Sequence, residues 1–130
     1  MFGDTVTALI THLKTVLPAI HFGTIPPRSA DTSGTFNPFA TIERTGGTSR
    51  DRVVDDAQIT VDSWAPKKLD AYDNAQLIRA HVNALEGATV AGVQLYQIRE
   101  VNGPAPVTDP SSGVVFYRQS FIAGTRGNAV

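Results

Sequence analysis

The sequence of 130 residues contains no cysteine. Disulfide frameworks, thiolate metal sites and thiol nucleophiles are therefore excluded together. Charged residues are scarce as well, at 18% of the chain against roughly 25% in typical soluble domains. Because a monomer usually carries its charges on its surface, this scarcity indicates a surface partly covered by partners, with simple compositional drift as the alternative.

An excess of basic residues is also lacking, since the formal net charge is −1 and the lysines and arginines are scattered along the chain. A module that follows a phosphate backbone normally has a clear basic excess, so nucleic acid is a poor candidate ligand. No apolar run approaches the ~20 residues that span a bilayer. The N-terminus has no basic start, and polar residues interrupt its apolar positions, unlike a signal peptide. We therefore expect a soluble protein that is made in the cytoplasm.

Two segments have the three-and-four spacing of apolar residues that is typical of helices. The first runs from Asp4, a predicted N-cap, to Leu17, and ends before Pro18. The second begins at Pro66 and ends near Gly87. Its predicted buried face consists of Ala71, Tyr72, Ala75, Ile78, Val82 and Leu85.

The rest of the chain alternates like β-strands, separated by segments rich in glycine, proline and serine. The predicted strands are residues 19–25, 36–44, 53–63, 90–101 and 113–123, and the predicted loops are 26–35, 46–52 and 102–113. This order predicts one α+β domain over residues 1–130, with a flexible tail at 124–130. Its mainly antiparallel sheet of four to five strands has two helices packed on one face, and strands 36–44 and 53–63 form a projecting hairpin.

Residues that could perform chemistry do not form a recognisable motif. His12, His21 and His81 lie in separate elements without metal-ligand spacing. Asp55, Asp56 and Asp62 are interpreted as solvated carboxylates near strand ends, because the glycine and spacing of a calcium loop are absent. The sequence therefore predicts no catalytic residue, no cofactor-binding residue and no metal ligand, and we expect that the protein is not an enzyme.

Two small groups of residues are candidates for an interface. Arg50, Asp51 and Arg52 lie at the predicted hairpin tip, either as a solubilising turn or as a docking tip that pairs with carboxylates on a neighbour. Trp64 lies at the corner between a strand and a helix, either as part of the core or as an interface anchor. Lys67 and Lys68 follow it, where cations are slightly unfavourable at the start of a helix.

Three segments together resemble the tail terminator proteins of long-tailed bacteriophages, which are also called tail completion or minor tail proteins. They are the N-terminal helix VTALITHLKTVLP, the strand, corner and helix AQITVDSWAPKKLDAYDNAQLIRAHVNAL, and the final strand VVFYRQSFIAGTRG. The resemblance covers about residues 5–124. It lies in the order of the helices and strands and in their patterns of polar and apolar residues.

The resemblance implies a structural virion protein that assembles as a homohexameric ring and caps the tail tube, stopping its elongation. The implied partners are further copies of the chain, the major tail tube protein and the head-tail connector or stopper. DNA passes through such a ring without sequence-specific binding, and no membrane or cofactor is involved. The competing hypotheses are a head-tail connector component of another ring, a small α+β ligand-binding domain and, least favoured, an enzyme.

Overall fold

A computed structural model describes residues 4–24, 37–49 and 54–126. These residues form two helices and a six-stranded sheet, which confirms the predicted α+β class. In chain order the elements are α1 Thr5–Val16, β1 His21–Gly23, β2 Phe39–Ser49, β3 Val54–Trp64, α2 Lys68–Asn83, β4 Thr89–Val90, β5 Val93–Thr108 and β6 Val115–Arg126. The strand order is β1-β2-β3-β6-β5-β4, in which β1 pairs with β2 in parallel and the other neighbours are antiparallel.

Helix α1 begins at the predicted cap. The Asp4 carboxylate accepts a hydrogen bond from the Thr7 backbone N–H at 3.2 Å and another from the Thr7 hydroxyl at 2.6 Å. These bonds stabilise the ionised carboxylate and lower the pKa of Asp4 below its usual value. The helix ends at Val16, close to the predicted end, and buries Ala8, Leu9 and Leu13.

Helix α2 starts two residues later than predicted, at Lys68, and Lys67 occupies the N-cap position without a capping side chain. Its predicted buried face is confirmed except for Tyr72, whose exposed fraction is 37%. The helix ends at Asn83, and a turn then leads to Gly87, which has a φ of 85° and donates its N–H to the Leu95 carbonyl. A left-handed glycine shortly after a helix is a common way to end it.

The core lies between the two helices and one face of the sheet. Ala57, Ile59 and Val61 are fully buried, as their alternation in β3 predicts, and they pack in one cluster with Leu9 and Leu13 of α1. Ile78 and Val82 of α2 and Phe121 and Ala123 of β6 belong to the same cluster. Both helices therefore cover one face of the sheet. In the described part of the chain, neither helix has the length and apolar character needed to cross a bilayer.

The sequence-based limits of β5 and β6 were wrong. Most of the predicted loop 102–113 belongs to β5, which continues to Thr108. Pro104 and Pro106 are tolerated because this stretch of β5 is an edge of the sheet, where the missing N–H groups remove no ladder bond. The remaining connection is a short turn that Asp109 closes by accepting bonds from the Ser111 N–H and the Ser112 hydroxyl. Residues 124–126 of the predicted tail belong to β6.

The hairpin of β2 and β3 is antiparallel, as predicted, with one register shift between Arg44 and Gly46. It does not separate from the sheet over its described length, because β3 stays paired with β6 as far as the contact between Val54 and Arg126. The predicted projection therefore concerns only the connection 50–53, which lies outside the described residues. The predicted loop 26–35 also lies outside them.

Candidate functional site

One face of the sheet is not covered by the helices, and we call it the bare face. The register defines it, because Trp64 and Asp62 of β3 alternate with buried residues such as Ser63 and Val61 that point toward the helices. Its other members are Phe39 and Thr45 on β2, Thr60 on β3, Phe116, Arg118, Ser120, Ile122 and Gly124 on β6, and Tyr96 and Arg99 on β5. The core uses the helical face. On the bare face the arginines Arg99 and Arg118 are exposed, whereas Phe39, Phe116 and the hydroxyl residues Thr60 and Ser120 are buried.

An aromatic stack lies at one end of the bare face and crosses three adjacent strands. The Trp64 ring lies between Phe39, at a centroid distance of 5.5 Å, and Phe116, at 4.1 Å, and its plane is tilted by 10° from the first ring and 16° from the second. Phe39 and Phe116 are buried and Trp64 is half-buried. Trp64 thus contributes to apolar packing at this end of the sheet. Within the described part of the chain, its buried indole N–H has no hydrogen-bond partner.

Polar pairs occupy the middle of the bare face. Arg118 donates two hydrogen bonds to the Asp62 carboxylate, at 2.9 and 3.1 Å, and its guanidinium also lies 5.5 Å from the centre of the Phe116 ring. The hydroxyl of Thr60 lies 3.2 Å from that of Ser120 and 2.9 Å from that of Thr45. These side chains satisfy one another across the strands, so the middle of the face is fixed before any partner binds.

At the far end of the bare face, Tyr96 extends across β6 toward β3. A Cβ atom on Gly124 would lie 2.8 Å from the Tyr96 ring, so the glycine permits the ring to lie flat on the strand. The Tyr96 hydroxyl is 3.5 Å from an Asp56 carboxylate oxygen. The absence of a side chain at Gly124 therefore makes room for an aromatic surface that the sequence pattern alone did not indicate.

The structure describes one of the two groups of predicted interface residues. Trp64, Lys67 and Lys68 lie together at the corner between β3 and α2, and both lysines are exposed. Arg50, Asp51 and Arg52 lie outside the described residues.

Two further ion pairs join described residues, and like the Arg118–Asp62 pair they were not predicted from the sequence. Arg44 donates bonds of 2.6 and 3.0 Å to Asp55, whose exposed fraction is only 4%, so the interpretation of Asp55 as a solvated carboxylate was wrong. Arg79 on α2 donates bonds of 2.6 and 2.8 Å to Glu100 on β5. With a further bond from Asn83, this contact lowers the pKa of Glu100 to about 2. The first pair crosses the hairpin of β2 and β3, and the second joins a helix to a strand. The periodicity of a single sequence does not indicate which side chains meet in such pairs.

One open surface pocket lies beside α1 and β1. Its volume is about 430 Å³, and it is lined by Lys14, Pro18, Ala19, Ile20, His21, Phe22, Asn37 and Pro38. It is not the enclosed apolar cavity that the ligand-binding hypothesis requires. Over residues 4–24, 37–49 and 54–126, no three histidine or acidic side chains group in a way that could hold a metal ion.

The chain matches no protein-family model and no curated protein sequence. It does match a chain in the structure of the virion of a native gene transfer agent particle, with a TM-score of 0.60. The two chains share a fold. The superposition covers 96% of this chain and 96% of the other, at 18% sequence identity. Because the coverage is nearly complete on both sides, the shared fold is that of the whole chain and not of a common fragment.

Proposed function

We propose that this protein is a structural component of a phage-like virion, which forms a ring at the head-proximal end of the tail tube. The observation that carries the proposal is the match of the whole fold to a virion chain. Independently of this match, the sequence of its helices and final strand resembles that of tail terminator proteins. The fold match and the sequence resemblance both support a phage-like virion, but only the sequence resemblance concerns the position in the tail.

The surface of the domain is suited to such a role. One face of the sheet is free of helices, and its central side chains are held in place by the Asp62–Arg118 pair and the Thr60–Ser120 contact. Helix α2 also exposes large apolar side chains, of which Leu69 is 68% exposed. Rigid surfaces with exposed apolar residues are typical of proteins that assemble with copies of themselves.

In this proposal the ring contains six copies, caps the tail tube protein on one side and meets the head connector or stopper on the other. Its role is to end tube polymerisation and to provide the joining surface for the head. The DNA passes through the central opening. The protein makes and breaks no covalent bond, so its specificity is a matter of surface fit and symmetry.

The experiment is a tube-length assay with the major tail tube protein that this proposal names as the partner. The tube protein is polymerised alone and with increasing amounts of this protein, and lengths are measured by negative-stain electron microscopy. We expect tubes to shorten as the amount of this protein rises, with label on it found at tube ends. A bovine serum albumin control at the same concentration should leave the lengths unchanged.

Unchanged tube lengths, with no label at the ends, would contradict the capping role. If the labelled protein then binds an isolated portal or connector ring instead, it belongs to another ring of the head-tail junction. If it binds neither assembly and remains a monomer at every concentration in light scattering, the virion proposal itself fails.

A further inference from the structure

The outer side of α2 has an apolar patch that nothing in the described part of the chain covers. The described residues include four exposed large apolar side chains, and three of them lie on this helix. They are Leu69, Tyr72 and Leu77, with exposed fractions of 68%, 37% and 48%. Leu69 and Leu77 are eight residues apart, which is about 12 Å along a helix axis, and they lie on the outward side. Asp73 is exposed between them. We call Leu69, Asp73 and Leu77 the helix patch.

A second patch lies on the bare face around Ile122. Ile122 of β6 is half-buried, and Arg99 of β5 lies directly opposite it in the register. The half-buried ring of Tyr96 lies over Gly124, two residues further along β6, which is about 7 Å away. We call Tyr96, Arg99 and Ile122 the sheet patch. It combines a flat apolar surface with one exposed guanidinium.

The two patches are complementary in charge. Three described arginines, Arg44, Arg79 and Arg118, each pair with a carboxylate, whereas Arg99 forms no ion pair within the described residues. Asp73 likewise forms none there. The exposed Asp73 carboxylate in the helix patch is thus opposite in charge to the exposed Arg99 guanidinium in the sheet patch. Apolar side chains flank both groups. Arginine and carboxylate pair well at the centre of an apolar contact, because two parallel hydrogen bonds fix their geometry.

The patches lie on opposite sides of the domain, since the helix patch faces away from the sheet and the sheet patch faces away from the helices. A contact between them therefore joins two different surfaces, and repeating it generates a closed ring when the rotation permits. We propose that the helix patch of one copy docks on the sheet patch of the next copy, with Asp73 paired to Arg99. The occupant of each patch is thus a second copy of this chain, and the proposal rests on the ring-forming function above.

The test uses the charge-reversed variants Asp73→Arg and Arg99→Asp, each as the full chain and in the presence of the tail tube protein. Each variant alone places like charges in every contact, so we expect its ring affinity to fall at least about tenfold. In an equal mixture every contact can again join opposite charges, provided that the two variants alternate. Native mass spectrometry should then detect rings that contain three copies of each variant.

The matched control is Lys14→Asp, which reverses an exposed cation on α1, outside both patches, and should assemble like the unaltered protein. Thermal melting followed by circular dichroism shows that each variant is folded. If the unaltered protein forms rings and the two variants assemble equally well, the proposed contact is wrong while the ring remains. If both variants lose assembly but their mixture does not recover it, the pairing of Asp73 with Arg99 is also wrong. If the unaltered protein forms no ring at all, both proposals fail together.

Discussion

The two faces of the sheet are stabilised by different kinds of side-chain contact. The helical face is covered by α1 and α2, and its central side chains, such as Ile59 and Phe121, are almost fully buried aliphatic and aromatic groups. The bare face is held by an aromatic stack at one end and by pairs of polar side chains in its middle. The helical face supplies the hydrophobic burial that stabilises the fold. On the bare face, side chains such as Arg118 are held by hydrogen bonds while they remain partly exposed to solvent. This division leaves a rigid surface available for assembly without weakening the core.

The largest expected effect tests the helical face. Phe121→Ala removes a ring with a 1% exposed fraction from the centre of the core, where α2, β3 and β6 meet. We expect the free energy of unfolding to fall by about 3 to 5 kcal/mol, because the lost burial is combined with a cavity that relaxes only in part. Urea unfolding followed by circular dichroism measures this loss. The control is Gln94→Ala, a change at an exposed position of β5, which should alter stability by less than about 0.5 kcal/mol.

A loss below about 1 kcal/mol for Phe121→Ala would show that the helical face does not dominate stability. In that case the contrast between the two faces would disappear, and the polar pairs of the bare face would need a larger structural role.

The second prediction tests the bare face at Trp64. Trp64→Ala removes the middle ring of the stack, but the ring is only half-buried, so we expect a smaller loss of about 2 to 3 kcal/mol. Trp64→Phe is the matched control, because it keeps an aromatic ring and removes an indole N–H that has no hydrogen-bond partner among the described residues. Its cost should stay within about 1 kcal/mol. Urea unfolding of both variants beside the unaltered protein gives the two values.

Equal losses in the two Trp64 variants would contradict the stacking interpretation. Equality would mean that the indole itself, and not the presence of a ring between Phe39 and Phe116, stabilises this end of the sheet.

The same contrast explains what sequence patterns could predict. The helical face follows simple periodicity, so most of the inner side of α2 was predicted correctly, and the buried residues Ala57, Ile59 and Val61 of β3 follow the alternation of a strand. The class of the fold followed from the order of these elements. Periodicity reports whether a side chain is apolar, and it contains no information about which distant residues meet.

Features that depend on pairing were therefore missed. Pro104 and Pro106 indicated a loop because a proline in a central strand would break the ladder, and only the strand order shows that β5 is an edge there. The burial of Asp55 depends on Arg44 of the preceding strand. The sheet patch depends on Gly124 lying beneath Tyr96. The assignment of Arg50, Asp51, Arg52, Trp64, Lys67 and Lys68 to an interface remains a prediction.

The smallest expected effect concerns the ion pair that ties α2 to β5 at the border of the helical face. The bonds from Arg79 and Asn83 lower the pKa of Glu100 from an ordinary value of 4.5 to about 2. A carboxylate with a lowered pKa in the folded state stabilises the fold above its unfolded pKa and loses that contribution as the pH falls. The contribution should therefore be complete above about pH 5 and should disappear between about pH 4.5 and pH 2.

We expect its size to be on the order of 1 kcal/mol, because water screens a pair whose side chains are 38% and 29% exposed. The measurement compares the unaltered protein with Glu100→Gln by urea unfolding at a series of pH values, since the difference cancels the other titrating groups. The difference should be largest at neutral pH and should shrink through the acid range. A difference that stays constant down to pH 2 would mean that the charge of Glu100 contributes nothing. The helical layer would then be held on the sheet without a contribution from this charge, which would make the chemical contrast between the two faces sharper.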